Sequence, residues 1–232
     1  MRNLQTSQLV IPDPEDGASS SAMVEVSREN PLPVTAIPNV SFMGMGVQAD
    51  LLWEFAKQGR IFVASDADVD DLVTGTASAS FTTATTTFLL DVPAGTTAFP
   101  LFVNLQQAGN VAGGAISLFI AIDDKKRYAS GGTSERIFNQ LGRASACTLY
   151  SGATATVDTV SYGARVFGTV MGPDVSSAEG AITAGVWRPE VPYLLRGPAS
   201  LLIYSHAATT GPTWAWSIGW ASAPTDELFG VG

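Results

Sequence analysis

The residues whose types and spacing come closest to a metal-binding pattern are four aspartates in one short stretch. Asp66, Asp68 and Asp70 alternate along the chain, and Asp71 follows them. Alternating aspartates open the Ca²⁺-binding loop of an EF-hand, which needs glycine at its sixth position and glutamate at its twelfth. Here those two positions hold Asp71 and Ala77. We therefore favour an acidic, solvated loop over the alternative of a cation site, and we predict no bound metal.

Hydrolytic catalysis would need a base beside a nucleophile, or two carboxylates that converge in a cleft. His206 is the only histidine and follows Ser205, but the Gly-x-Ser-x-Gly motif of a nucleophile elbow is absent. Glycine-rich phosphate-binding loops and Cys-x-x-Cys pairs are absent too. The sequence therefore predicts neither catalytic residues nor a cofactor. No spacing selects a pair among the acidic residues at strand ends and in loops, which are Asp91, Asp123, Asp124, Asp158, Asp174, Glu179 and Glu190.

The single cysteine and the single basic cluster both favour structural roles. Cys147 lies in a strand-like run, where a buried small hydrophobic residue is the favoured interpretation. With one cysteine, the chain forms no internal disulfide. The basic run from Lys125 to Arg127 adjoins Asp123 and Asp124, and this mixture of charges predicts a solvated turn.

The overall composition limits the classes of partner. The 232 residues carry a net charge of −9, with 14% charged and 46% hydrophobic residues. An acidic chain lacks the basic surface that binds phosphate backbones, so we predict no direct nucleic-acid contact. The first residues lack an apolar signal core, and every apolar run is far shorter than the ~18 residues of a membrane span. We expect synthesis in the cytoplasm, with no signal peptide, transmembrane segment or membrane partner.

Residues 1–40 are predicted to form an extended N-terminal arm, and residues 41–232 a folded domain. The arm is rich in prolines, which remove amide donors and block helices. It is nevertheless too apolar for a purely solvated tail. Either it packs along its own domain or it reaches a neighbouring subunit. In the second case its interface residues are Leu9, Val10, Ile11, Val24, Leu32 and Val34.

The folded domain alternates apolar and polar residues with the period of β-strands. The clearest pair covers residues 86–92 and 99–105, and is predicted to form a hairpin around the turn at Pro93. Short helices are predicted over residues 48–58 and 133–142. The helices that parallel α/β folds need between most strands are missing. We therefore predict an all-β, antiparallel, jelly-roll-like sandwich with one or two short helices.

One strand near the C-terminus has two very different faces. Trp214, Trp216 and Trp220 share one face with Ile218, whereas the opposite face carries only Ala215, Ser217 and Gly219. Tryptophan supplies a large buried area, so a core or subunit interface is the favoured interpretation. The alternative is that the three tryptophans form an exposed platform for glycans. The smooth face would let a second layer or another subunit approach closely.

The proline-rich run from Val24 to Thr35 and the Thr-, Ala- and Gly-rich strands between Thr76 and Gly114 give the chain a likeness to virion proteins. It resembles the jelly-roll structural proteins of bacteriophages, of the capsid-associated or decoration type. This resemblance implies a non-enzymatic subunit that resides in the virion, forms homo-oligomers, and binds a capsid or related particle through its sandwich and arm. Its partners would be copies of itself and other virion proteins. The alternative is a glycan- or receptor-binding sandwich of a phage fibre or appendage.

Overall fold

A computed structural model describes residues 8–12, 21–25, 52–66, 71–78, 82–108, 115–156, 163–173 and 184–229. The chain divides into two units, Met1–Val47 and Gln48–Gly232. In the first unit, strands β1 (Gln8–Pro12) and β2 (Ser21–Glu25) pair in antiparallel fashion, with Leu9 opposite Val24. The predicted interface residues Leu32 and Val34 lie outside the described residues. The role of the arm in subunit contacts stays a prediction.

The second unit is built almost entirely from strands. Within the described ranges, two short helices accompany them, α1 over residues 52–57 and α2 over Thr225–Phe229. Neither helix is long and apolar enough to cross a membrane. The strands are β3 (Ile61–Ser65), β4 (Val73–Thr74), β5 (Thr76–Ala77), β6 (Phe88–Val92), β7 (Thr96–Gln107), β8 (Ala115–Asp123), β9 (Tyr128–Ser130), β10 (Thr133–Ser134), β11 (Ile137–Phe138), β12 (Thr148–Ser151), β13 (Thr154–Ala155), β14 (Ala164–Pro173), β15 (Ala184–Trp187), β16 (Leu195–Arg196), β17 (Ala199–Ala207) and β18 (Thr213–Pro224).

Eight of these strands form the framework of two facing sheets, whose edges are extended by β11 in one sheet and by β12 and β10 in the other. In chain order they are β3, β6, β7, β8, β14, β15, β17 and β18. The outermost two in this order, β3 and β18, pair with each other, and so do β6 with β17, β7 with β15 and β8 with β14. The first sheet runs β11-β3-β18-β7-β15, and the second runs β10-β12-β6-β17-β8-β14. This arrangement is that of an eight-stranded antiparallel jelly roll, so the predicted fold class is confirmed.

The core lies between the two sheets and is closed by aromatic side chains. Trp214, Trp216 and Trp220 all point into it from β18 and are buried. The ring of Trp216 meets that of Phe88 on the opposite sheet, with centroids 4.7 Å apart. The indole N–H of Trp214 donates to Ser205 Oγ at 2.8 Å. Strand alternation therefore places the bulky face of β18 inside, which supports the core interpretation of these tryptophans.

The outer faces of both sheets are partly covered by small additions to the jelly roll. On the first sheet, Phe55 of α1 packs on Ala221 and Ala223 near one end of β18. On the second sheet, Ala155 of β13 and the preceding Ala153 belong to a smaller apolar cluster with Tyr204 and its neighbours, and β13 pairs with β9. Helix α1 confirms the helix predicted over residues 48–58, and Gly59 ends it with a φ of 65°.

The predicted hairpin over residues 86–92 and 99–105 is wrong. The turn is present, since the amide of Thr96 donates to the carbonyl of Pro93 at 3.2 Å and Gly95 has a φ of 81°. However, β6 pairs with β12 and β17, whereas β7 pairs with β18 and β15. The turn is thus a corner that carries the chain from one sheet to the other, and the same turn residues serve both geometries.

The helix predicted over residues 133–142 is also wrong. Strand β10 pairs Thr133 with Ser151, and β11 pairs Ile137 with Ala64. Asn139 then fixes the following turn, because its side chain donates to two backbone carbonyls of the α1–β3 region and accepts the amides of Leu141 and Arg143. Pairing with two different sheets therefore overrides the local helical pattern.

Candidate interaction surface

The feature best suited to contact another molecule is the outer face of the first sheet. One row across this face contains Phe138, Val63, Gly219 and Phe102, which lie opposite one another on four adjacent strands. A methyl group at Gly219 would overlap the ring of Phe102, so only glycine allows that ring to lie flat over β18. The row is therefore apolar and closely packed against the sheet.

The next row is flatter and more polar in its centre. Ser65, Ser217, Asn104 and Val186 lie opposite one another, and the Asn104 side chain donates to Ser217 Oγ at 3.1 Å. An open depression of about 300 Å³ is lined by three of these residues, Ser217, Asn104 and Val186, together with Ala215 and Gln106. The small side chains of β18 thus leave a shallow trough in the middle of the sheet.

Two large apolar side chains flank this trough and are exposed to solvent. Phe138 on β11 is 61% exposed, and Val186 on β15 is 56% exposed. A flat, small-residue centre between exposed apolar flanks can be covered closely by a second layer, which would remove those flanks from water. We call this surface the β18 outer face. It is defined by Phe138, Val63, Phe102, Ala215, Ser217, Asn104 and Val186.

The glycan platform considered for Trp214, Trp216 and Trp220 is contradicted by their burial. The most exposed of the three, Trp216, shows only 5% of its surface. A sugar stacks on an open ring face, and these rings face the opposite sheet instead. The alternation along β18 predicts its smooth face correctly, but no sequence pattern indicates the exposed Phe138 and Val186. These two residues lie on β11 and β15, and strands of two and four residues are too short to show the alternation of apolar and polar side chains.

The prediction that the basic run at Lys125–Arg127 forms a solvated turn is wrong for Arg127. Lys125 and Lys126 are exposed, but Arg127 is only 3% exposed. Its guanidinium pairs with the buried carboxylate of Asp123, with Nη2–Oδ2 and Nε–Oδ2 distances of 2.7 and 2.9 Å. A buried guanidinium needs such a partner, because an isolated charge is strongly disfavoured away from water.

Further hydrogen bonds hold this ion pair in place. Asp123 also accepts the backbone amides of Lys125 and Gly163, at 3.0 and 3.2 Å. Ser200 Oγ accepts the amide of Arg127 at 2.9 Å and donates to the carbonyl of Lys125 at 3.0 Å. The pair therefore ties the end of β8 to β17 and to the start of β14. We assign it a structural role.

The remaining candidate groups do not assemble into a catalytic or metal centre among the residues that the structure describes. No group of three or more His, Cys, Asp or Glu side chains there could hold a metal ion. Ser205 Oγ forms hydrogen bonds with Thr87 Oγ1 and with the indole N–H of Trp214. His206 Nδ1 lies 3.2 Å from the carbonyl of Ser78. Burial raises the pKa of Asp91, and Lys126 opposes that shift. Outside the described residues lie Asp68, Asp70, Asp158, Asp174 and Glu179.

Cys147 is buried against the core, as predicted from its strand-like surroundings. Burial raises the pKa of its thiol from 9.0 to about 12, since the thiolate would lose its hydration. The thiolate is the reactive form, so the native thiol should be inert near neutral pH.

We therefore expect an aromatic disulfide reagent at pH 8 to leave Cys147 unmodified in the native protein and to modify it fully in denaturant. The release of the coloured thiol leaving group measures the reaction directly. Rapid, stoichiometric modification of the native protein would place Cys147 at the surface and contradict its position in the core.

The fold and the surface define an antiparallel jelly-roll sandwich with a smooth, partly apolar outer sheet face. No protein-family model, curated protein or solved structure matches the chain. The function therefore has to be inferred from the fold and from the groups on its surface.

Proposed function

We propose that this chain is a non-enzymatic structural subunit of a virus particle, which assembles with copies of itself and attaches to a capsid or related particle. The observation that carries the proposal is the β18 outer face on a complete jelly roll. Jelly rolls build viral shells, although the same fold also serves lectins and cupins. Because the fold alone does not distinguish these functions, the β18 outer face is the feature that favours assembly over the others.

The chemistry of the chain supports contact with neighbours. Only 14% of its residues are charged, whereas soluble domains average ~25%. A surface poor in charge favours association, and the β18 outer face is the described sheet surface where small residues lie between exposed apolar ones. A second copy of this chain is the occupant we propose for it. The net charge of −9 suits a surface that faces away from packaged nucleic acid.

The N-terminal arm is the second contact in this proposal. Residues Leu9, Val10 and Ile11 lie on β1, and Val24 lies on β2. We propose that this apolar hairpin, with Leu32 and Val34, contacts other virion proteins or a neighbouring copy. Location in the virion follows from the same proposal.

The alternative function is a glycan- or receptor-binding sandwich of a phage fibre or appendage. The three tryptophans that first suggested it are buried and give it no support. We therefore rank assembly above it.

We expect Ala215→Arg to dissociate the oligomer and to leave the fold intact. Ala215 lies on the outer face of β18, so an arginine there can extend into solvent in the monomer. Covering the face with a second copy would then desolvate an unpaired charge, at a cost of about 3 kcal/mol, or roughly a hundredfold in association. Light scattering coupled to size-exclusion chromatography measures the mass of each variant.

The matched control is Ser130→Arg, which places the same charge on an exposed residue of β9. It should keep the oligomer of the unmodified chain. Should Ala215→Arg keep that oligomer too, the β18 outer face is not the subunit contact.

A further inference from the structure

A second contact surface lies at one edge of the second sheet. Among the strands that the structure describes, β14 pairs with β8 alone and ends that sheet. It is ten residues long, whereas the strands at the other ends of the two sheets, β10, β11 and β15, have two, two and four residues. The described part of the chain therefore has one long sheet edge, along β14.

The sequence of β14 gives this edge little protection against pairing. Proteins commonly block an exposed edge with charged residues, prolines, bulges or a short strand. Residues 166–172 contain no charge and no proline. The register with β8 is irregular only near the two ends of the strand, between Arg165 and Phe167 and between Met171 and Pro173. The stretch from Phe167 to Met171 is thus a regular, uncharged edge that can accept another strand.

The side chains beside this edge also favour a partner. Val170 is 68% exposed and shares the outer face of the sheet with Gly168, because these two residues lie opposite Ser117 and Phe119 of β8. The guanidinium of Arg165 lies over the ring of Phe119, 5.2 Å from its centroid, and fills the space where a methyl group at Gly168 would be. A strand added at this edge would remove Val170 from water and pack against the flat guanidinium.

We propose that β14 pairs with β14 of a second copy of this chain, in antiparallel fashion about a two-fold axis at Thr169. The two second sheets then join into one sheet across the dimer. In this register Val170 lies opposite Gly168 of the partner subunit, and Phe167 lies opposite Met171 of the partner subunit. Pairing with β8 puts Gly168 and Val170 in one alternating set of residues and Phe167 and Met171 in the other, so each pair joins residues of the same set.

A second copy is the occupant that suits this edge because the edge is complementary to itself. About a two-fold axis, an antiparallel strand offers its own amides and carbonyls to an identical strand. Each chain carries a net charge of −9, which opposes most contacts between copies, but residues 166–172 are uncharged. The axis places Arg165 opposite Pro173 of the partner subunit, and Asp174 is the next residue in the sequence. The basic residue of one strand thus meets the acidic end of the other, once on each side of the axis.

This contact is separate from the β18 outer face, which lies on the first sheet, and it does not rest on that part of the proposed function. A subunit with both contacts has two ways to bind a copy of itself. Blocking the β18 outer face with Ala215→Arg should therefore leave a dimer of twice 24.2 kDa rather than a monomer.

The first test adds a lysine to the edge of the Ala215→Arg chain. Val170→Lys should weaken the dimer by about tenfold or more, because the lysine of each copy meets Arg165 of the other and each like-charge pair occurs twice. The fold should persist, since Val170 is exposed. Val191→Lys is the matched control, because this valine is 66% exposed and lies in a loop outside β14. Sedimentation equilibrium of both double variants over a range of concentrations measures the two dissociation constants.

The second test, also in the Ala215→Arg chain, reads the register directly. Thr169→Cys places two thiols at the axis, where paired antiparallel residues lie ~4.5–5.5 Å apart at Cα, within the range that a disulfide spans. The native Cys147 does not compete, since it is buried. We expect mild oxidation of Thr169→Cys to give a covalent dimer, and Val191→Cys to give much less, on electrophoresis under denaturing conditions without reductant. This readout decides the outcome if Val170→Lys fails to fold.

Any of three results would overturn the proposal. The first is an Ala215→Arg chain that sediments as a monomer at every concentration up to its solubility limit. The second is an equal dissociation constant for the Val170→Lys and Val191→Lys variants. The third is a Thr169→Cys chain that cross-links no faster than Val191→Cys. An Ala215→Arg chain that keeps the full oligomer contradicts only the role of the β18 outer face, because Val170→Lys and Thr169→Cys still report on the β14 edge.

Discussion

Asp123→Ala is expected to destabilise the protein by about 3–5 kcal/mol, the cost of leaving a buried charge without its partner. Asp123 and Arg127 are both buried, and the carboxylate also accepts the amides of Lys125 and Gly163. Its removal takes the counter-ion from the buried guanidinium, which still donates from Nη1 to the carbonyl of Thr156 at 3.3 Å, and it takes the carboxylate acceptor from those two amides. Chemical denaturation followed by tryptophan fluorescence measures the change in the free energy of unfolding.

The neighbouring Asp124→Ala is the matched control, because Asp124 is exposed. It should change stability by less than about 0.5 kcal/mol. Replacing both members of the pair, as Asp123→Ala with Arg127→Ala, should cost less than the sum of the single changes, since no uncompensated charge remains. Equal, small effects of Asp123→Ala and Asp124→Ala would show that the buried ion pair does not form.

Trp216→Ala is expected to destabilise the protein by a similar amount, about 3–5 kcal/mol, because it opens a large cavity between the sheets. Trp216 packs against Phe88 of the opposite sheet within the main core cluster. For a chain of this length, the loss should lower the melting temperature by roughly 10 °C. Differential scanning calorimetry measures that shift.

Trp53→Ala is the control, because it removes the same side chain from the exposed side of α1, where Trp53 is 63% exposed. It should leave the melting temperature nearly unchanged. If Trp216→Ala melts with the unmodified chain, the inward orientation of the β18 tryptophans is incorrect. The exposed glycan platform would then become the better interpretation.

The fold class could be predicted from the sequence because alternation is a local signal. Trp214 to Trp220 show one bulky and one smooth face, and the structure places the bulky face inside. The partners of each strand could not be predicted in the same way. The turn at Pro93 has residues that suit a hairpin and a corner equally. It forms a corner because β6 pairs with β17 and β7 pairs with β18, both of which come from the C-terminal part of the chain.

The groups on the surface were harder to predict for the same reason. Phe138 looks like part of an amphipathic helix until Val63 pairs with it across the sheet edge. Arg127 lies in a charged stretch of sequence that predicts exposure to solvent. It is buried because it forms an ion pair with Asp123, four residues earlier in the chain.

The mass of the full chain in native solution tests the central claim most directly. Native mass spectrometry, supported by analytical ultracentrifugation, should find a closed oligomer whose mass is a multiple of 24.2 kDa. A structural subunit that covers its β18 outer face with a second copy must self-associate at concentrations typical of assembly. A chain that remains a monomer of 24.2 kDa at every concentration up to its solubility limit would contradict the claim.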